Sequence, residues 1–180
     1  MNEREKIRGL AAYHVAGARL GYQRAFTALV ALFDTRLRAH ARRLCDDAES
    51  ARDIVQESWI AIARGLPGLR DDHAFLPWAL RIVTRTAARD LRHKRRRRTA
   101  QQGFTEAHDE TLIDAPDLNA AIATLPAPQR AVLALFYLEE MSVAEVAVAL
   151  DIPPGTVKTR LMHARNKLRA FLNGETDGQT

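Results

Sequence analysis

Cysteine occurs once in the chain, at Cys45, so no disulfide can close within it. No Cys/His cluster has the spacing of a zinc site, and the six histidines (His14, His40, His73, His93, His108 and His163) are scattered. No metal or cofactor is therefore expected, and Cys45 reads as a small apolar filler. Paired carboxylates and a glycine-rich phosphate loop are also missing, which removes the usual starting points for an enzyme. Aromatic residues make up only 6% of the 180 residues, so a core must rely on Leu, Val, Ile and Ala. Such a composition favours helices over sheets. Glycine and proline are sparse and clustered, and long stretches carry neither. No apolar run approaches the roughly 18 residues needed to span a membrane. The mixed-charge start, Met-Asn-Glu-Arg-Glu-Lys, lacks a secretory apolar core. These absences predict a cytoplasmic, all-α protein without membrane insertion.

What is present is positive charge. The formal net charge of +5 points to a polyanionic partner or, more simply, to solubility, and its distribution has to decide. Residues 22–45 carry Phe26, Leu29, Val30, Phe33, Leu37, Ala41 and Leu44 at helical steps of three and four. A second helix is expected from Ala48 to Leu66, with Ala51, Ile54, Val55, Trp59, Ile62 and Ala63 as its apolar set. Gly65-Leu66-Pro67-Gly68 stops it. Pro77 suits the first turn of a third helix, which carries Trp78, Leu80, Ile82, Val83, Ala87 and Leu91 and runs into Lys94-Arg95-Arg96-Arg97-Arg98. Residues 99–117 then hold Glu106, Asp109, Glu110, Asp114 and Asp117 with no Lys or Arg, the pattern of a flexible acidic linker. The expected architecture is two small helical domains, 1–98 and 118–175, joined by that linker and followed by a tail, 176–180.

The second domain opens with Leu118 to Leu125. A helix then starts at Pro126-Ala127-Pro128, carries Val132, Leu133, Leu135, Phe136 and Leu138, and ends at Glu139-Glu140-Met141. Ser142-Val143-Ala144-Glu145 has the form of a capping box. Val143, Val146, Ala147 and Leu150 make a short apolar face, and Asp151-Ile152-Pro153 is a turn, with Asp151 able to take a left-handed backbone conformation. The next helix places Val157, Leu161, Ala164, Leu168 and Phe171 on one face. Thr156, Lys158, Thr159, Arg160, His163, Arg165 and Lys167 occupy the others. A buried stripe with a basic, hydroxyl-bearing front suits the major groove of DNA. A plain helical hairpin with a solvated basic face is the competing interpretation.

Three segments resemble region 4 of bacterial sigma factors of the sigma-70 family. They are Leu125-Pro126-Ala127-Pro128-Gln129-Arg130-Ala131-Val132-Leu133, Glu139 to Ala147, and Ile152-Pro153-Pro154-Gly155-Thr156-Val157-Lys158-Thr159-Arg160-Leu161. The short chain resembles the extracytoplasmic-function class, group 4. Asp53-Ile54-Val55-Gln56-Glu57 is similar to the family's region 2.2, and Phe75-Leu76-Pro77-Trp78 with Arg81-Ile82 resembles regions 2.3 and 2.4. The sequence departs from the family's usual Asn at Arg85, Gly at Asp151 and apolar residue at Pro154. Residues 1–21 have no clear counterpart.

The resemblance implies a polymerase subunit that recruits rather than catalyses. Asp53, Gln56 and Glu57, which share one helix face, would dock on the β′ clamp helices of core RNA polymerase, with the β flap a further contact. Trp78, Arg81, Arg85, Arg89, Arg92, Lys94 and Arg95 would meet the minus-10 element, the cations through phosphates. Trp78 would either stack on a base or belong to the core. Thr156, Lys158, Thr159, Arg160, His163 and Arg165 would read the minus-35 element. The linker would either mimic nucleic acid or act as a tether. The resemblance also implies an anti-sigma factor as regulator, an envelope or environmental stress signal, and a monomer when free. The rivals are a stand-alone helix-turn-helix regulator, which needs no polymerase, and a nucleic-acid enzyme, which finds no supporting residues.

Overall fold

The structure, a computed structural model, describes residues 3–45, 47–101, 121–122 and 124–172. Every regular element among them is helical, as the composition predicts. The chain divides into two compact units, Met1–Leu91 with Val148–Asp151, and Arg92–Ala147 with Ile152–Thr180.

The first unit begins with a helix that the sequence pattern does not announce, α1 (Glu3–Arg19). It packs on α2 (Gln23–Leu44). The two are joined at Gly21, whose φ of +86° lies in the left-handed region that a side chain disfavours. Arg19 anchors the end of α1: Nε donates to the Leu66 carbonyl at 3.2 Å and Nη1 pairs with Asp72 at 2.7 Å. Helix α3 (Ala48–Gly65) starts at Asp47, whose carboxylate accepts from the Ser50 N–H at 2.6 Å, a side-chain N-cap. Two 3-10 turns, Leu66–Gly68 and Asp72–Ala74, lead into α4 (Phe75–Gln101). That helix starts two residues before Pro77, which sits in the first turn where its missing N–H costs nothing. It continues through residues 99–101, the first three of the segment expected as a linker. Residues 102–117 lie outside the described residues.

The expected apolar stripes form the core. Leu29, Phe33 and Leu37 of α2, Ile54, Val55 and Ile62 of α3, and Phe75, Leu80 and Val83 of α4 are buried. The Phe33 and Phe75 rings meet with centroids 5.2 Å apart. Two members of the predicted stripes are exposed instead, Ala63 on α3 and Leu91 on α4. Both stand near the C-terminal ends of those stripes.

Among the described residues one titratable side chain is fully enclosed. His40 has no exposed surface, and its Nε2 lies 2.9 Å from Thr84 Oγ1. The Thr84 hydroxyl proton has two backbone carbonyl acceptors, Leu80 at 2.9 Å and Ala149 at 2.7 Å, so its oxygen accepts from the imidazole N–H. The other ring nitrogen, Nδ1, has no partner. Burial, reinforced by the Arg43 charge, lowers the His40 pKa to about 3, so the ring is neutral.

In the second unit, α5 (Ala127–Leu133) packs against α7 (Pro154–Leu172). Helix α5 passes directly into a π-helical turn, Ala134–Leu138, in which the Glu139 N–H reaches back five residues to the Ala134 carbonyl at 3.2 Å. The wider turn carries Leu138 off the apolar face. Leu138 is 69% exposed, although the sequence pattern places it with the core residues. Val132, Leu135, Val157, Leu161 and Ala164 are buried as expected.

The helix-turn-helix is built as the sequence indicates. Between α6 (Val143–Leu150) and α7, Asp151 takes the left-handed conformation, with φ of 56°. The capping box closes in both directions: Glu145 N–H donates to Ser142 Oγ at 3.2 Å, and Ser142 N–H donates to Glu145 Oε2 at 2.8 Å. Ser142→Ala should remove half of this exchange and cost about 1 kcal/mol. Chemical denaturation of the full chain checks it, and an unchanged midpoint would mean the cap contributes nothing.

Candidate nucleic-acid and partner interface

Helix α3 separates its faces cleanly. Ile54, Val55, Ser58 and Ile62 are buried, whereas Asp53, Gln56 and Glu57 are exposed. The buried Ser58 hydroxyl is satisfied by donating to the Ile54 carbonyl at 2.6 Å. Trp59, placed in the apolar set from sequence, meets Phe26 edge-on at 5.8 Å and donates its indole N–H to Asp34 at 3.0 Å. The structure adds Ile60, which the sequence pattern does not single out. It is 53% exposed and, at seven residues from Asp53, stands one helical repeat along the same face. Its apolar character suggests core; only the register of its neighbours could have shown it to be outward. The face thus offers an apolar side chain with carboxylates about one and two turns before it, chemistry suited to a basic protein surface beside an apolar patch.

Trp78, Arg81, Arg85, Arg89 and Arg92 succeed one another on α4 at steps of three, four, four and three, so they share one stripe. Trp78 is half-buried. Its ring lies beside Phe75, with centroids 6.1 Å apart, and covers Gly65, where a Cβ would sit 3.1 Å from the indole. Gly65 is therefore the floor on which the indole rests. Arg89 is paired with Glu57 of α3, which joins the two candidate surfaces through one exposed ion pair. Lys94 falls on another side of α4, away from the stripe. Arg95 lies on the same helix, but its side chain is outside the described residues.

On α7, Val157, Leu161 and Ala164 are buried and the remaining residues divide into two flanks. Thr156, Arg160 and His163 lie on one flank with the outward-facing Thr159, and Lys158 and Arg165 on the other, by the roughly 100° turn per residue. Lys158, Thr159, His163 and Arg165 are exposed, and Thr156 and Arg160 are half-buried. The Thr159 hydroxyl donates to the Gly155 carbonyl at 3.1 Å, so its lone pairs remain for a donor such as a base amine. Arg165 is already engaged. Its Nε donates to Tyr137 Oη at 2.8 Å, and its guanidinium lies 5.8 Å from the Phe136 ring centroid and 5.6 Å from that of Tyr137. Tyr137 does not stand out in the sequence. It comes after Phe136 at the end of an apolar run, where an aromatic residue reads as core.

Among the described residues no group of His, Cys, Asp and Glu is placed to hold a metal ion, and no helix is long and apolar enough to cross a membrane. The two arrays fall within two known sequence families. The family described as "Sigma-70 region 2" matches residues 29–97, and "Sigma-70, region 4" matches residues 117–168. The chain is 30% identical over 166 residues to an RNA polymerase sigma-H factor of Pseudomonas aeruginosa, covering 82% of this chain and 86% of that one. An ECF RNA polymerase sigma-E factor of Salmonella typhimurium is 29% identical over the same shares. Among solved structures, CnrH in complex with the cytosolic domain of CnrY aligns with a TM-score of 0.66 at 28% identity, over 93% of this chain and 99% of that one. The sigma factor RpoE in complex with the anti-sigma factor NepR, from Bartonella quintana, aligns with a TM-score of 0.64 at 24% identity, over 84% and 98%.

Proposed function

Because the chain belongs to the sigma-70 family of RNA polymerase sigma factors, in its extracytoplasmic-function class, we propose that it directs core RNA polymerase to a specific set of promoters and takes no part in catalysis. The observation that carries this is the presence in one chain of both arrays: an acidic docking face on α3 beside an arginine stripe on α4, and a helix-turn-helix with a basic second helix. A stand-alone regulator needs only the second.

The division of labour follows from the chemistry. Residues 1–98 form the polymerase-binding and minus-10 domain, with Asp53, Gln56 and Glu57 meeting the β′ clamp helices around Ile60. Arg81, Arg85, Arg89 and Arg92 neutralise promoter phosphates, a salt-dependent interaction. Trp78, supported by Gly65 and Phe75, presents its open part toward an unstacked base. Residues 118–175 bind the minus-35 element through Thr156, Lys158, Thr159, Arg160, His163 and Arg165 and contact the β flap, and residues 99–117 tether the two. The protein works in the cytoplasm, is monomeric when free, and is held inactive by an anti-sigma factor until an envelope or environmental signal releases it. The complexes in which CnrH and the Bartonella factor were solved support that regulation.

Transcription in vitro with core polymerase on a genomic promoter library tests the assignment. New transcripts that depend on the protein are expected; absence of both new transcripts and core binding would overturn it. Replacing Lys158 and Arg160 together with Ala should leave core binding intact and weaken promoter binding about 30-fold or more, at about 1–3 kcal/mol for each base or phosphate contact. Competition binding of the reconstituted holoenzyme measures this. Equal loss of core affinity would mean that the pair serves the fold.

A further inference from the structure

Resting on the promoter-binding reading, we propose that Tyr137 is a positioning residue: it holds the Arg165 guanidinium in place for a phosphate of the promoter backbone beside the minus-35 element. Three contacts fix Arg165. The Tyr137 hydroxyl accepts from Nε, and the Phe136 and Tyr137 rings lie against the cation. These rings supply the electron-rich faces that favour a guanidinium. Both belong to the π-helical turn, Ala134–Leu138, and Tyr137 is 52% exposed, so the acceptor stands at the surface. An exposed arginine ordinarily loses much rotamer freedom when it binds. Here that freedom is already restricted, so less is lost on contact with DNA.

The choice of ligand rests on the donors still available. Tyr137 takes the Nε–H, and the four Nη hydrogens remain, a set suited to the oxygens of a phosphate. Position along α7 favours backbone over base. The N-terminal residues of a recognition helix enter the groove, and Arg165 is the twelfth residue of α7, about 16 Å along its axis from Pro154. Arg165 also shares a flank with Lys158, separate from that of Thr156, Arg160 and His163. Two cations along one flank suit a strand edge.

Holoenzyme reconstituted with the full chain, on a promoter it transcribes, provides the test. Tyr137→Phe keeps both rings and removes only the acceptor. It should weaken promoter binding about three- to tenfold with core affinity and melting temperature unchanged. The salt dependence should stay at the wild-type slope, because the charge is retained. Arg165→Ala should lower that slope by about 0.9, and adding Tyr137→Phe to it should cause no further loss. Both penalties should persist on a promoter with a scrambled minus-35 sequence. An inert Tyr137→Phe overturns the proposal, as does a loss that survives undiminished in the Arg165→Ala background, which would mark a structural role. Penalties that vanish on the scrambled promoter would make Arg165 a base reader and overturn the phosphate assignment. Failure of the wild-type holoenzyme to bind any promoter would instead strike the function from which this inference starts.

Discussion

Simultaneous replacement of Asp53 and Glu57 with Ala is expected to weaken core polymerase binding by about 100-fold or more, about 3 kcal/mol, with little change in melting temperature. Both carboxylates are exposed on α3, so neither supports the core. Truncating one partner of a desolvated, hydrogen-bonded interface charge pair costs about 2–5 kcal/mol, and the losses of neighbouring charges on one face do not add in full. The exposed Glu57–Arg89 pair is worth at most about 1 kcal/mol to the fold. Ile60→Ala, in the same face, should add a further loss of about tenfold. Fluorescence titration of labelled core polymerase reads both. If the double variant binds core normally, the docking face lies elsewhere. If it melts well below the wild type, the carboxylates are structural.

The second large effect is acid sensitivity arising from His40. Its pKa is about 3 in the folded chain and near 6.5 when unfolded. Between those values the unfolded chain binds the additional proton, so stability falls with falling pH. The contribution is complete above pH 6.5 and is lost progressively down to about pH 3. The loss amounts to about 2 kcal/mol by about pH 5 and on the order of 4–5 kcal/mol in full. His40→Leu removes the titration and the unpartnered Nδ1, while the Thr84 hydroxyl keeps its backbone carbonyl acceptors. Its stability should therefore be nearly flat between about pH 6.5 and about pH 5, where the wild type declines. Parallel declines in both proteins would show that His40 is not the origin.

The contrast between these residues separates features that sequence discloses from features that only packing reveals. Leu29, Phe33 and Leu37 repeat at the helical period, and burial follows directly from periodicity. The Ser142–Glu145 box and the left-handed Asp151 are local, and local chemistry dictates them. Asp53, Gln56 and Glu57 are legible as a shared face because a helix fixes their relation. Ile60 and Tyr137 are not, since an apolar side chain outside the core looks in sequence like one inside it. His40 escapes for the opposite reason: one imidazole in an arginine-rich helix gives no sign that the neighbouring helices enclose it. Leu138 is misplaced by any pattern that assumes a regular α repeat through a turn that is not α. Helix α1 escapes because residues 1–21 carry no motif that points to a structure; Gly21 marks its end only once the turn is seen.

That π-helical turn carries a consequence for chain length. Ala134–Leu138 accommodates about one residue more than an α-helical path of equal span. Deleting a single residue ahead of Tyr137 within it would restore the regular α repeat and leave Tyr137 at a different point around the helix. The apolar residues of α5 would keep their places, while the hydroxyl that meets Arg165 would swing away. The length of the segment, as well as its composition, thus decides where that hydroxyl points.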